Sequence, residues 1–143
     1  MKTVNQLLQN KGSRVWSIGP DALVIEALKL MAEKEVGALV VLEGDQVVGI
    51  LSERDYARKV SLLGKSSKTT PVREIMTEKV VFIRPEQTVE DCMALMTNKR
   101  IRHLPVIDGD RLVGVISIGD VVKEVISQQE FIIAQLENYI TGR

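Results

Sequence analysis

The fold is decided by an internal repeat whose clearest stretch is Val48-Gly49-Ile50-Leu51-Ser52, followed by Glu53-Arg54-Asp55. It returns 65 residues later as Val113-Gly114-Val115-Ile116-Ser117, and an aspartate, Asp120, again follows three positions after the serine. Residues 15–60 align with residues 80–125 without a gap, and 16 of the 46 positions are identical. A period of this length predicts two copies of one supersecondary unit, each needing a neighbour to bury its apolar face.

Each copy has the pattern β-α-β-β-α. In the first copy, Val15–Ile18 predicts a strand, and Pro20-Asp21 marks the start of a helix. Two apolar runs then predict a hairpin: Ala38–Leu42 and Val47–Leu51 in copy one, His103–Ile107 and Leu112–Ile116 in copy two. The second helices are predicted to begin around Glu53 and Ile118. The fold class is therefore α/β (α+β), built from two such repeats.

Further segments flank the repeats. Val4–Leu8 and Val72–Met76 resemble each other, so each repeat is expected to have its own lead-in segment. The predicted organisation is a first domain over residues 3–63, a linker over 64–71, a second domain over 72–127 and a helical extension over 128–143. That extension carries Phe131, Ile132, Leu136, Tyr139 and Ile140 at roughly helical spacing. Either the protein body or a second subunit is expected to cover this stripe.

Composition excludes several classes of function. Nineteen basic and nineteen acidic side chains balance, which argues against broad binding to nucleic acid. No apolar run approaches the length of a membrane span, and the N-terminus lacks the regions of a signal peptide. The single cysteine, Cys92, suits a reducing compartment. We therefore expect a cytoplasmic protein that interacts with neither membrane nor nucleic acid.

The motif residues suggest a ligand site. A serine where a strand meets a helix can donate to a phosphate, as can free backbone N–H groups there. An aspartate three residues later can accept hydrogen bonds from both ribose hydroxyls. Ser52 with Asp55, and Ser117 with Asp120, fit this pattern, and Arg54 adds a guanidinium suited to phosphate. Ordinary helix capping by Ser and Asp, and a solvated helix face for Arg54, are the alternatives.

These motifs resemble the CBS (cystathionine β-synthase) domain family, as a tandem pair over about residues 3–127 without an attached catalytic domain. The motifs that carry the resemblance are Gly37-Ala38-Leu39-Val40-Val41 with Val48–Asp55, and Arg102-His103-Leu104-Pro105-Val106 with Val113–Asp120. The resemblance implies two repeats packed about a pseudo-twofold axis and a homodimer. It also implies a cleft that binds AMP, ADP, ATP or NAD.

The resemblance assigns roles to further residues. Ile18 and Ile83 match positions that flank the adenine, and Pro105 matches a position lining the base pocket. Arg102 and His103 open a strand that lines the cleft, where copy one has Gly37 and Ala38. His103 is the only histidine, so a zinc site has no support, and no metal site is expected. Ile18, Ile83 and Pro105 also suit ordinary core positions, and His103 suits a surface strand.

Two functions remain open at this stage. The first is a stand-alone regulatory module that binds an adenine nucleotide and signals energy or redox state to an unknown protein target. The alternative is a protein-interaction module that regulates a thioredoxin or a separate enzyme, with the nucleotide incidental. We find no nucleophile-base pair, no Gly-x-Gly-x-x-Gly fingerprint and no catalytic cofactor signature, so an enzyme is not expected.

Overall fold

The computed structural model describes residues 2–12 and 14–141, so Ser13 and the last two residues of the predicted extension lie outside the described residues. The elements in chain order are α1 (Val4–Lys11), β1 (Ser17–Ile18), α2 (Val24–Lys34), β2 (Ala38–Glu43), β3 (Gln46–Ser52), α3 (Glu53–Tyr56), α4 (Val89–Lys99), β4 (His103–Asp108), β5 (Arg111–Ser117) and α5 (Ile118–Thr141). A π-helical segment, Ala57–Ser61, continues α3, and a 3₁₀ turn, Val72–Glu74, precedes the second repeat.

Both predicted hairpins are confirmed, with the same register in each copy. Ala38 pairs with Ser52 and His103 with Ser117, which brings each motif serine opposite the first residue of the preceding strand. The turns use Gly44 and Gly109, both with positive φ, a conformation that glycine adopts without steric cost. The motif therefore ends each hairpin at the same edge of its sheet.

The predicted first strand is present only in the first repeat. There, β1 pairs in parallel with β2, and the Val40 amide donates to the Trp16 carbonyl oxygen at 3.4 Å. In the second repeat Pro105 takes the place of Val40 and has no N–H to donate. The corresponding segment is accordingly reduced to a single bridge, between Ile83 and Val106.

Each lead-in segment packs against the opposite repeat, which corrects the expectation that each repeat keeps its own. Val4, Leu7 and Leu8 of α1 are buried in the core of the second repeat. Val72, Ile75 and Met76 are buried in the core of the first. One isolated β-bridge connects each lead-in segment to the opposite repeat: Thr3 pairs with Thr88, and Leu23 pairs with Pro71. The two repeats are thus related by a pseudo-twofold axis, as the family resemblance implied.

Two glycines of the opening motif are required by this exchange. A Cβ added at Gly114 would lie 2.6 Å from a methyl carbon of Leu8. At Gly49 it would lie 2.7 Å from the sulfur of Met76 and 3.0 Å from the Thr77 carbonyl oxygen. The repeated Val-Gly pair therefore lies where the opposite lead-in segment packs against each hairpin.

We predict that Gly49→Ala lowers the free energy of unfolding by about 1–3 kcal/mol, because the added methyl overpacks the core against a backbone carbonyl that cannot rotate away. Gly19→Ala is the matched control, since a Cβ there meets no atom within 4 Å. Urea denaturation of both variants measures the difference. Equal stability of Gly49→Ala and the wild type would contradict the crossing geometry.

Candidate functional site

The two serine-aspartate motifs form reciprocal capping boxes, in which each side chain accepts a hydrogen bond from the backbone N–H of the other residue. The Asp55 amide donates to Ser52 Oγ at 3.2 Å, and the Ser52 amide donates to Asp55 Oδ2 at 3.0 Å. At Ser117 and Asp120 the same two distances are 3.2 and 2.8 Å. Helix capping, the alternative to ligand binding, is therefore observed at both motifs. A role in ligand binding would be additional to this capping role.

Asp55 is buried, and both its carboxylate oxygens already have partners. Besides the Ser52 amide, Oδ2 accepts from Ser52 Oγ at 3.1 Å. Oδ1 accepts from Thr77 Oγ1 at 3.2 Å and lies 3.2 Å from Lys59 Nζ. Two oxygens offer about four acceptor positions, so these contacts use the capacity of the carboxylate. A ribose diol could bind Asp55 only by replacing Thr77 and Lys59.

Asp120 has a different partner. Lys11, the last residue of α1, places its ammonium 2.6 Å from Asp120 Oδ2 and 2.6 Å from the carbonyl oxygen of Val115. Partial burial favours the neutral carboxyl, but the Lys11 hydrogen bond and the Ser117 amide outweigh it, so the pKa of Asp120 lies below its usual range. The second motif is therefore held by a lysine from the opposite lead-in segment.

A cleft of about 720 Å³ opens beside the first motif, between the two repeats. It brings together seven of the predicted site residues: Gly37, Ala38, Ser52, Arg54, Asp55, Arg102 and His103. Arg54 spans the cleft, since its Nη1 donates to the carbonyl oxygen of Arg100 at 2.9 Å. The seven residues come from both repeats, which agrees with a site between them.

The remaining five predicted residues do not line this cleft. Ser117 and Asp120 form the second motif beside Lys11. Ile18 is half-buried against the first core, and Pro105 is buried within β4. Ile83 is fully buried in the second core, so its side chain offers no surface to a ligand in this conformation. Val81, two residues earlier, lines the cleft instead.

The cleft is strongly cationic. Its lining contains seven lysine and arginine side chains, against two carboxylates, Glu53 and Asp55. The basic residues are Arg54, Arg58, Lys59, Lys79, Lys99, Arg100 and Arg102. A chain with no net charge has thus concentrated positive charge at one place, and such a cleft raises the local concentration of anions.

His103 lies where the two halves meet. A Cβ added at Gly37 would lie 3.5 Å from His103 Cε1, so the glycine leaves room for the imidazole ring. Burial, reinforced by the charge of Lys11, lowers the pKa of His103, and Asp120 opposes this shift. His103 is therefore neutral at pH 7 and can both donate and accept a hydrogen bond.

Several residues of the site were not found from the sequence. Lys11, Thr77 and Lys79 lie in or after the lead-in segments, outside the aligned motif, and only the exchange brings them to the opposite repeat. The similarity of Val4–Leu8 to Val72–Met76 could have indicated them. Residues that follow two equivalent segments are expected to lie at equivalent positions beside the two motifs. Arg100 was missed because it contributes a backbone carbonyl to Arg54.

Comparison with known proteins identifies the family of this architecture. A model of the CBS domain matches residues 12–62 and 72–127. The mitochondrial CBS domain-containing protein CBSX3 of Arabidopsis thaliana is 42% identical over 150 residues, covering 98% of this chain and 72% of that protein. A solved protein with CBS domains from Burkholderia ambifaria is 53% identical, with a TM-score of 0.86, covering 90% of this chain and 96% of that one.

A more distant solved structure carries ligands. The CBS domain pair of protein MJ0100, in complex with 5'-methylthioadenosine and S-adenosyl-L-methionine, superposes with a TM-score of 0.78 over 90% of this chain and 98% of that one. Its sequence identity is 21%, so this similarity shows the fold alone. Across residues 2–12 and 14–141, no helix is both long and apolar enough to cross a membrane.

We predict that Lys11→Met destabilises the protein at pH 7 and has a smaller effect near pH 3. A carboxyl whose pKa is lowered in the folded state stabilises the fold above its unfolded value of about 3.9, and this contribution is lost as the pH falls through the folded value. Urea denaturation at both pH values, with Lys29→Met as control, measures the difference. A pH-independent effect of Lys11→Met would contradict the ion pair.

Proposed function

The chain belongs to the CBS domain family and is a CBS-pair regulatory module, and we propose that it binds an adenine nucleotide of the AMP, ADP, ATP or NAD type in the cleft between its repeats. The observation that carries this proposal is the concentration of seven basic side chains beside the Ser52–Asp55 motif. A nucleotide combines a polyanionic part, a ribose diol and a flat ring, which suits a lining of basic side chains, a carboxylate and apolar side chains.

The charge distribution supports the assignment of the phosphates. Arg54 and Arg102 come from different repeats and both line the cleft, so a phosphate bound by both would connect the two halves. Guanidinium groups match phosphate oxygens with two parallel hydrogen bonds, which lysine cannot do. Lys79 and Lys99 line the same space and extend the cationic surface beyond one phosphate.

The ribose is assigned to Asp55 through an exchange of partners. Its Oδ1 is held by Thr77 and Lys59, which have the donor character of two ribose hydroxyls. Replacing these two donors by a diol preserves the hydrogen bonding of the carboxylate and releases the Lys59 ammonium from it, while the hydrogen bond from Lys59 to the Ile75 carbonyl oxygen, 3.0 Å long, can persist. Since Lys59 lines the cleft, it can then pair with a phosphate.

The base is assigned to the apolar part of the lining, which includes Ala38, Ile50, Val81 and Ile101. Flat apolar walls with a few polar groups are typical of small-molecule sites. The adenosine ligands of the distant CBS pair support the same chemical class. The neutral imidazole of His103, which lines the cleft, offers one donor and one acceptor to the base or ribose.

The second motif is proposed as an unequal site. Lys11 already occupies Asp120, so a ligand there must displace an ammonium group as well as bind. The first cleft is therefore proposed to bind first, and the second to respond at higher ligand concentration. A ligand can change the arrangement of the module only through unequal affinity for its two states. We propose that this change signals energy or redox state to a separate protein in the cytoplasm.

We predict that Asp55→Asn weakens AMP binding at least about tenfold, because the neutral amide is a poorer acceptor for two hydroxyls than a charged carboxylate. The side chain keeps its size, so the capping box can persist. Calorimetry measures the affinity, and thermal unfolding without ligand checks the fold. Asp120→Asn is the paired variant, with loss expected at a weaker second site. Unchanged AMP, ATP and NAD binding in both variants would overturn the proposal and favour the protein-interaction alternative.

We also predict that Arg102→Gln lowers affinity for ATP more than for AMP, since additional phosphates place more negative charge against the cationic lining. Lys29→Gln, on the exposed face of α2, removes the same charge outside the cleft and serves as control. Thermal-shift titrations report the affinities, because a ligand that binds the folded state raises the unfolding midpoint. An equal loss in both variants would mean that only overall charge matters.

A further inference from the structure

The second half of α5 extends away from the protein body. Within the first half, Val121 and Glu124 are buried and Val125 packs against the second core. From residue 129 to residue 141 every described residue is exposed, including Phe131, Ile133, Leu136 and Ile140. At 1.5 Å per residue, the 24-residue helix is about 36 Å long.

A heptad stripe runs along one side of this helix. It consists of Val122, Ile126, Gln129, Ile133, Leu136 and Ile140, at alternating spacings of four and three residues. These are the a and d positions of a two-stranded coiled coil. The five apolar members are 50–79% exposed in the single chain. The stripe lies about 100° around the helix from Val121, so contact with the body does not cover it.

We propose that the stripe binds a second copy of this chain, with the two α5 helices antiparallel. In this register Val122 lies opposite Ile140 of the partner subunit, Ile126 opposite Leu136 of the partner subunit, and Gln129 opposite Ile133 of the partner subunit. All six layers then pair an a position with a d position. This interface goes beyond the nucleotide proposal and does not depend on it.

Charge complementarity selects the antiparallel orientation. The flanking e positions are Lys123, Glu130 and Glu137. In an antiparallel pair the e positions of the two helices face each other, so Lys123 meets Glu137 of the partner subunit at both ends. The two Glu130 side chains meet near the dyad, one repulsive contact against two attractive ones. In a parallel pair the e positions would face the uncharged g positions, Val125, Ile132 and Tyr139, and no ion pair would form.

The antiparallel arrangement also covers the projecting half of the helix. In this register residues 134–141 of each projecting half lie along residues 121–128 of the anchored half of the partner subunit, and residues 129–133 of the two helices face each other. Val122 and Ile126 are each 50% exposed on that anchored half. The projecting end of one helix is therefore supported by the part of the other helix that packs against its own protein body.

The first test is the oligomeric state of the full chain. Ile133→Glu places a charge in the central layers and should raise the dimer dissociation constant at least about tenfold, as measured by analytical ultracentrifugation. Asn138→Glu adds the same charge on the opposite side of the helix and should leave the dimer unchanged. A wild-type monomer, or a dimer that Ile133→Glu does not weaken, would overturn the proposal.

The second test is orientation. In a Cys92→Ala background, oxidation should cross-link the Val122→Cys, Ile140→Cys double variant into a dimer, while Val122→Cys alone should remain uncross-linked. A charge reversal complements this test: Lys123→Glu should weaken the dimer, and Lys123→Glu with Glu137→Lys should restore it. A cross-linked dimer from Val122→Cys alone would overturn the antiparallel orientation.

Discussion

Completion of each apolar core by the opposite lead-in segment is the constraint on which this structure depends. Neither repeat can complete its core without the opposite lead-in segment, because Val4, Leu7 and Leu8 close the second core and Val72, Ile75 and Met76 close the first. The exchange requires glycine where the segments cross, and it sets the two hairpin ends against each other. The cleft between the repeats is a product of the packing that stabilises them.

The exchange also makes the two motifs unequal. The lead-in segment that packs on the first repeat is a single 3₁₀ turn. After this turn Thr77 forms a bridge with Ile50 and donates a hydrogen bond to Asp55. The lead-in segment that packs on the second repeat is helix α1, which continues to Lys11, and the Lys11 ammonium forms an ion pair with Asp120. A duplicated framework therefore carries two different electrostatic environments, and the first is the one that opens into a cationic cleft.

The repeat made much of this predictable from the sequence. Both hairpins and the serine-aspartate pairs are local features, so their pattern appears directly in the residue order. The shortened strand at Ile83 could have been anticipated from Pro105, which lacks the needed N–H, but alignment alone concealed it. The partners of Asp55 and Asp120 could not be predicted, because Thr77 and Lys11 reach them through a crossing of segments that local pattern does not encode.

The same crossing sets an order of assembly during synthesis. The first core needs nothing beyond Met76, so it can close while the second half is still being made. Helix α1 has no such opportunity, since its partners extend from Ile83 to Val121. Helix α1 thus leaves the ribosome before every segment that it packs against, and its apolar face stays exposed until they emerge. Long-range contacts of this kind slow folding, and apolar surface that is exposed in the meantime is prone to aggregation.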